Sequence, residues 1–230
     1  MLPDEPCTWA LKPGGIGVGC DYGWVHLSRV DLTGGIFTGA YFGGAALQGT
    51  RFDQADLSDA VLHTARLDGA SFEGAILDSA WFGDVSAVLG HFKGAHAIRA
   101  TFIDADLTGA SFNKARLTGA DMTHAKLISA DLSSSRAVDM TIRNADLSSA
   151  TLAGMMLTDA LADGANFQGA NLNGINLEGT SLRGANFRFA DLTGAIIDQF
   201  TSLDGAKFDG TVGMAGEFRL FAERANIPSI

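Results

Sequence analysis

ADLTGASFNKARLTGADMTHAKL, residues 105–127, places Ala at 105, 110, 115, 120 and 125 and a Leu, Phe or Met two positions after each. Neither regular element has a five-residue period. A helix smears such a pattern around its whole surface within two turns, and a strand sends successive bulky residues to opposite faces. The stretch therefore calls for an architecture in which five residues make one structural step, repeated along the chain.

Outward from this stretch the register holds from Leu27 to Ile197 without an insertion, about 35 blocks. The bulky position is weakest at Ala87, Ala97, Ala137 and Ala162, and the small one is enlarged at Val85, Met140, Met155 and Ile175. A continuous core absorbs such exchanges of volume when neighbours compensate. The register slips by one residue near Gln199 and resumes at Gly205-Ala206-Lys207-Phe208.

Blocks such as Ala105-Asp106-Leu107-Thr108-Gly109, Ala165-Asn166-Phe167-Gln168-Gly169 and Ala185-Asn186-Phe187 resemble the pentapeptide repeat family. The resemblance implies an all-β fold, a right-handed quadrilateral parallel β-helix of about nine coils, with the small and bulky residue of each block pointing inward. Residues twenty apart then stack at about 4.8 Å, giving a rod on the order of 40 Å long. One inward column reads Leu32, Phe52, Phe72, Phe92, Phe112, Leu132, and its four phenylalanines are expected to stack and stiffen the N-terminal half.

Three segments follow from these patterns: residues 1–25 as a Gly- and aromatic-rich N-terminal cap, 26–212 as the repeats, and 213–230 as a C-terminal helix and tail. Gly15-Ile16-Gly17-Val18-Gly19 lacks the third glycine of a dinucleotide loop and the Lys-Ser/Thr of a phosphate loop, so it reads as turn. At the other end Met214, Phe218, Leu220 and Phe221, interleaved with Glu217, Arg219, Glu223 and Arg224, fit a short amphipathic helix ended by Asn226 and Pro228. Its apolar face can close the last coil or pair with a second copy; resemblance to relatives with a C-terminal dimer helix favours a homodimer through Met214, Phe218, Leu220 and Phe221.

Cys7 and Cys20 have no zinc-like spacing with histidines and read as two free thiols rather than a cap-closing disulfide. Asp4 and Glu5 precede Pro6 where a signal peptide would be basic and then apolar, and no stretch is long and apolar enough to span a membrane. The expected location is the cytoplasm.

The net charge is -10. An acidic surface argues against direct nucleic-acid binding, which needs lysine and arginine to displace counterions. It suits a protein that occupies a surface made for DNA, and the resemblance sharpens that thought. Qnr-type members and the self-immunity proteins of topoisomerase-poison producers resemble B-DNA in shape and charge, bind DNA gyrase and protect it from quinolones or peptide poisons. The expected partner is thus DNA gyrase or a related type II topoisomerase, met through acids such as Asp56, Asp106, Asp121, Asp131 and Asp146, although this chain lacks the projecting loops of the Qnr type. Asp and Asn at these outward positions also bond nearby backbone, which gives them a structural use.

A second reading is an interaction scaffold. Tyr41, Val61 and Trp81, twenty apart, form an outward column beside Gly43, His63 and Gly83, with Ile36 and Ile76 around the corner. Such a strip is either a partner site or an apolar surface shielding backbone or lying under the N-terminal segment. Catalysis finds no support: the column Asp84, Asp104, His124, Asn144 lies on a convex, solvated face, and His91 and His96 lack a third ligand. No cofactor, metal or catalytic residue is expected.

Overall fold

The computed structural model describes residues 5–214, 216 and 218–220. After a short helix, α1 (Glu5–Trp9), the chain makes isolated parallel bridges, one every five residues, each as far as Asn176 to the residue twenty later. Twenty residues thus make one coil of four sides. Side 1 carries the bridging ladder Ile16, Ile36, Asp56, Ile76; side 2 carries Asp21, Tyr41, Val61, Trp81; side 3 carries His26, Ala46, Arg66, Ser86; side 4 carries Asp31, Arg51, Ser71, His91; each continues toward the C-terminus.

The block 106–110 explains why five residues suffice. Asp106 N–H donates to Val85 O of the previous coil (2.9 Å), Leu107 N–H to Lys126 O of the next (2.8 Å), and Gly109 N–H to Ile128 O (2.9 Å). Ala110 N–H closes the corner on Leu107 O (2.9 Å). Only the third N–H, that of Thr108, has no backbone acceptor, and Asp106 Oδ1 takes it (3.1 Å) together with the Thr108 hydroxyl (2.7 Å). Buried or half-buried N–H groups need such partners. Asn serves as well: Asn166, Asn171, Asn176 and Asn186 each accept from the N–H two residues on. The Asp or Asn preference is therefore a backbone requirement, met by either oxygen.

The corner residue turns the chain at positive φ, where Gly109 (φ 67) pays no Cβ penalty. Most non-glycine occupants are small polar residues that tolerate this region, but Trp24, Leu89 and Phe189 are bulky. Each lies over the glycine one coil further on: a Cβ on Gly44, Gly109 or Gly210 would stand within 2.8 Å of the Trp24, Leu89 or Phe189 side chain.

Inside, the small and bulky positions form one continuous buried column of side chains. Phe52, Phe72, Phe92 and Phe112 stack at 5.2, 4.9 and 4.6 Å with nearly parallel rings, and Phe82 and Phe102 stack beside them at 4.8 Å, edge-on to the first column. Offset stacks and T-shaped pairs are the favoured aromatic geometries. Where Thr50 or Thr180 enlarges the small position, its hydroxyl bonds the Leu27 or Leu157 carbonyl, so no polar group is orphaned. Near Gln199 the coil lengthens, and bridges run from Ser181 to Ser202. Asp198 holds this extra residue, accepting from the N–H groups of Gly179, Thr201 and Phe200. The Gly179 N–H, with these further donors, holds its carboxyl below the usual range.

The first bridge is at Ile16, ten residues before the start expected for the repeats. The period is hidden there because Gly17 occupies the bulky position: a Cβ on it would stand 2.2 Å from Tyr22 Oη, so Tyr22 of the next block fills the space. Tyr22 is fully buried and donates to Cys7 O (3.0 Å), and burial pushes its hydroxyl up to about 12. Cys20 takes a small inward-side position, and α1 brings Cys7 onto it. The two cysteines form a disulfide with Cα atoms 5.6 Å apart, which corrects the expectation of two free thiols. Disulfides persist in oxidising compartments, so the bond leaves the compartment open where the cytoplasm was expected. Among the described residues no helix is long and apolar enough to cross a membrane.

Of the expected C-terminal helix, residues 218–220 form a helical turn. Phe218 is buried and packs edge-on against Phe208 at 6.1 Å, closing the last coil, and Met214 packs against the same core. Leu220 is exposed. Phe221, Glu217, Glu223, Arg224, Asn226 and Pro228 lie outside the described residues.

Candidate functional site

The five nominated acids are not brought together. Asp56 lies on side 1, Asp121 on side 2, Asp106 and Asp146 on side 3, and Asp131 on side 4. Each accepts from the N–H two residues on, at 2.9 to 3.1 Å, and all are half-buried. For Asp56, partial burial raises the pKa, but hydrogen bonds from Ser58 and Thr38 outweigh it and hold the carboxyl below the usual range. Asp106 also faces Lys126 at 3.7 Å.

Charge is nonetheless unevenly distributed. On sides 1 and 2, which share a corner, acids outnumber lysines and arginines thirteen to five; on sides 3 and 4 the figures are nine and eight. The first four coils are more extreme: residues 16–25, 36–45, 56–65 and 76–85, which make up sides 1 and 2 there, contain no lysine or arginine but carry Asp21, Asp56, Asp59, Asp78 and Asp84.

The aromatic strip lies in this cation-free region. Tyr41, Val61 and Trp81 are consecutive rungs of side 2. Tyr41 is 42% and Trp81 46% exposed, so the described residues of the N-terminal segment do not cover them. Their rings lie flat because the neighbouring positions have no side chains: a Cβ on Gly43 would be 2.2 Å from Tyr41 Oη, and one on Gly83 2.4 Å from Trp81 Nε1. His63 stacks on Trp81 at 5.0 Å, with Nδ1 3.6 Å from Asp84. Trp24, 73% exposed over Gly44, extends the surface by a further ring. Sequence reading missed Trp24 because it sits in the stretch assigned to the cap; the signal was present, since Gly44 lies twenty positions on. Around the corner on side 1, Ile36 (40% exposed) and Ile76 (39%) continue the apolar surface.

In the corner column His124 Nδ1 lies 3.5 Å from Asp104, and Asn144 contacts His124 Nε2 at 3.4 Å. All are exposed, a chain of surface contacts. Among the described residues no group of three or more His, Cys, Asp or Glu side chains is arranged to hold a metal ion.

A family model for pentapeptide repeats matches residues 26–63, 55–83, 91–123 and 163–199. A search of curated proteins finds no match. Among solved structures, HetL, a pentapeptide repeat protein involved in heterocyst differentiation regulation from the cyanobacterium Nostoc sp. strain PCC 7120, is 26% identical, with 89% of this chain and 94% of that one covered and a TM-score of 0.53. A trypsin-treated form of QnrB1, a plasmid-mediated fluoroquinolone resistance protein, is 21% identical over 90% of this chain and 97% of its own, with a TM-score of 0.41. The coil, its five-residue step and the family match agree: the chain belongs to the pentapeptide repeat family.

Proposed function

We propose that the protein is a non-enzymatic rod, a right-handed quadrilateral β-helix, that binds a partner protein through the aromatic strip of side 2. The carrying observation is that Tyr41 and Trp81 remain more than two-fifths exposed on a face with no lysine or arginine in four coils. Contiguous exposed aromatics of this kind mark interaction sites. Replacing Trp81 by Ala should weaken capture of a partner from the native host by at least about tenfold, since an interface aromatic contributes roughly 2 kcal/mol or more. The melting temperature should move by no more than about 4 °C, the shift for about 1 kcal/mol in a chain of this size. Unchanged capture by Trp81→Ala and Tyr41→Ala proteins would remove the strip from the interface.

A second reading, occupation of DNA gyrase or a related type II topoisomerase as a DNA mimic, is favoured by the acid surplus on sides 1 and 2. It takes a homodimer joined at the C-terminal ends, where exposed Leu220 is available, and it requires the protein to share the enzyme's compartment despite the Cys7–Cys20 bond. Titrated into a supercoiling assay, the protein should inhibit, or rescue poisoned enzyme, less at high salt than at low salt. Changing Asp121, Asp139 and Asp159 together to Asn should weaken the effect, while the pair Asp131→Asn and Asp146→Asn, on the other two sides, should not. No effect at micromolar protein would exclude this reading.

A further inference from the structure

We propose that the partner segment received by the strip is basic: an extended, arginine-bearing stretch of a partner protein that runs along the rod axis over the corner between sides 1 and 2. The inference rests on the strip being a docking site and adds what docks there.

Three observations carry it. The rings of Trp24, Tyr41 and Trp81 lie over Gly44, Gly43 and Gly83 and stay exposed, with His63 stacked against Trp81 on one side, so that each offers part of its face to solvent. A guanidinium stacks on such a face with an attraction of about 0.5–2 kcal/mol per ring. Carboxylates flank the rings: Asp84 at the corner beside Trp81, Asp104 one coil on, and Asp21 one coil before Tyr41. The region also lacks competing cations: none lies on sides 1 and 2 in the first four coils, whereas further along Arg143 faces Asp163 at 3.8 Å and Arg183 faces Asp204 at 3.7 Å. On these two sides the chain supplies its own arginines to Asp163 and Asp204 further along, whereas Asp84 and Asp104 beside the strip are met by His63 and His124; Arg51, which pairs with Asp31 and Asp53, lies on side 4. An acidic, aromatic surface without internal cations is complementary to an external basic one, in both affinity and approach.

The dimensions agree. Tyr41 and Trp81 are two coils apart, about 10 Å along the axis, and in an extended chain alternate residues on one face recur at about 7 Å. Arginines spaced two to four residues apart therefore reach successive rings. The intervening apolar residues meet Ile36, Val61 and Ile76.

The test uses the full-length oxidised protein and three blocked, aromatic-free peptides of equal length that alternate leucine with arginine, serine or glutamate. Amide and indole N–H spectra are recorded for each titration. The arginine peptide should shift the indole N–H of Trp24 and Trp81 but not of Trp9 in the cap. It should bind at least tenfold more tightly than the serine peptide, and lose tenfold or more in the Trp81→Ala protein and in the Asp84→Asn, Asp104→Asn protein. If the serine peptide binds the same residues equally well, the strip remains a docking site and the basic partner is wrong. If the arginine peptide binds but shifts residues on all four sides and ignores the substitutions, only general charge attraction is present and the inference falls. If no peptide moves either indole, while a linear oligosaccharide does, both the basic segment and the protein-binding reading fail.

Discussion

Replacing Phe92 by Ala should lower stability by about 3–5 kcal/mol, the cost of removing a buried aromatic ring. Among the described residues Phe92 has more ring partners than any other: it stacks on Phe72 and Phe112 and meets Phe82 and Phe102 edge-on. Neighbouring coils cannot collapse into the gap, since the backbone spacing is fixed by the bridges Ser71–His91 and His91–Ser111. A coil contacts only the coils before and after it, so loss at this coil also weakens the coupling between the two halves. Chemical denaturation should therefore broaden or split into two phases, which Leu177→Ala, nearer the end, should not produce. A cost below about 1 kcal/mol would mean that the stacked column is not a main source of rigidity.

The second large effect is expected at the N-terminal end. Changing Cys7 and Cys20 together to Ser, or reducing the bond, removes a cross-link thirteen residues apart in sequence, worth about 3 kcal/mol by loop closure. In a solenoid this loss stays local. Amide exchange should accelerate by about a hundredfold at Gly17 and Ile36, which bond Ile36 O and Gly15 O, and remain unchanged around Phe112. A uniform change along the whole chain would instead make the cap part of one cooperative unit.

What could be read from the sequence follows from which interactions are periodic. The inward column was legible because every block repeats it, and the phenylalanine stack follows from counting in twenties. The first coil was not, because Gly17 and Tyr22 exchange volumes between blocks and so erase the pattern where it begins. The disulfide escaped because it joins a repeat position, Cys20, to a residue outside the repeats, and no periodicity reports such a pair. The nominated acids were found but their grouping was not: Asp56, Asp106, Asp121, Asp131 and Asp146 look alike in sequence because they answer the same backbone N–H, and only the coil distributes them over four sides. The strip was readable from Tyr41, Val61 and Trp81, whereas its exposure depended on where the N-terminal segment goes.

One property of the coil bears on how such a chain can change over time. Since the third N–H is accepted by Asp146 in one block and by Asn166 in another, exchange between the two at such a position alters net charge by one without removing an acceptor. Bridging positions that use this bond on every side are thus places where electrostatic pattern and foldability are inherited separately. A lineage can rewrite the potential along one side of the rod residue by residue, each intermediate still folding, and so exchange one partner for another while the interior stays the same.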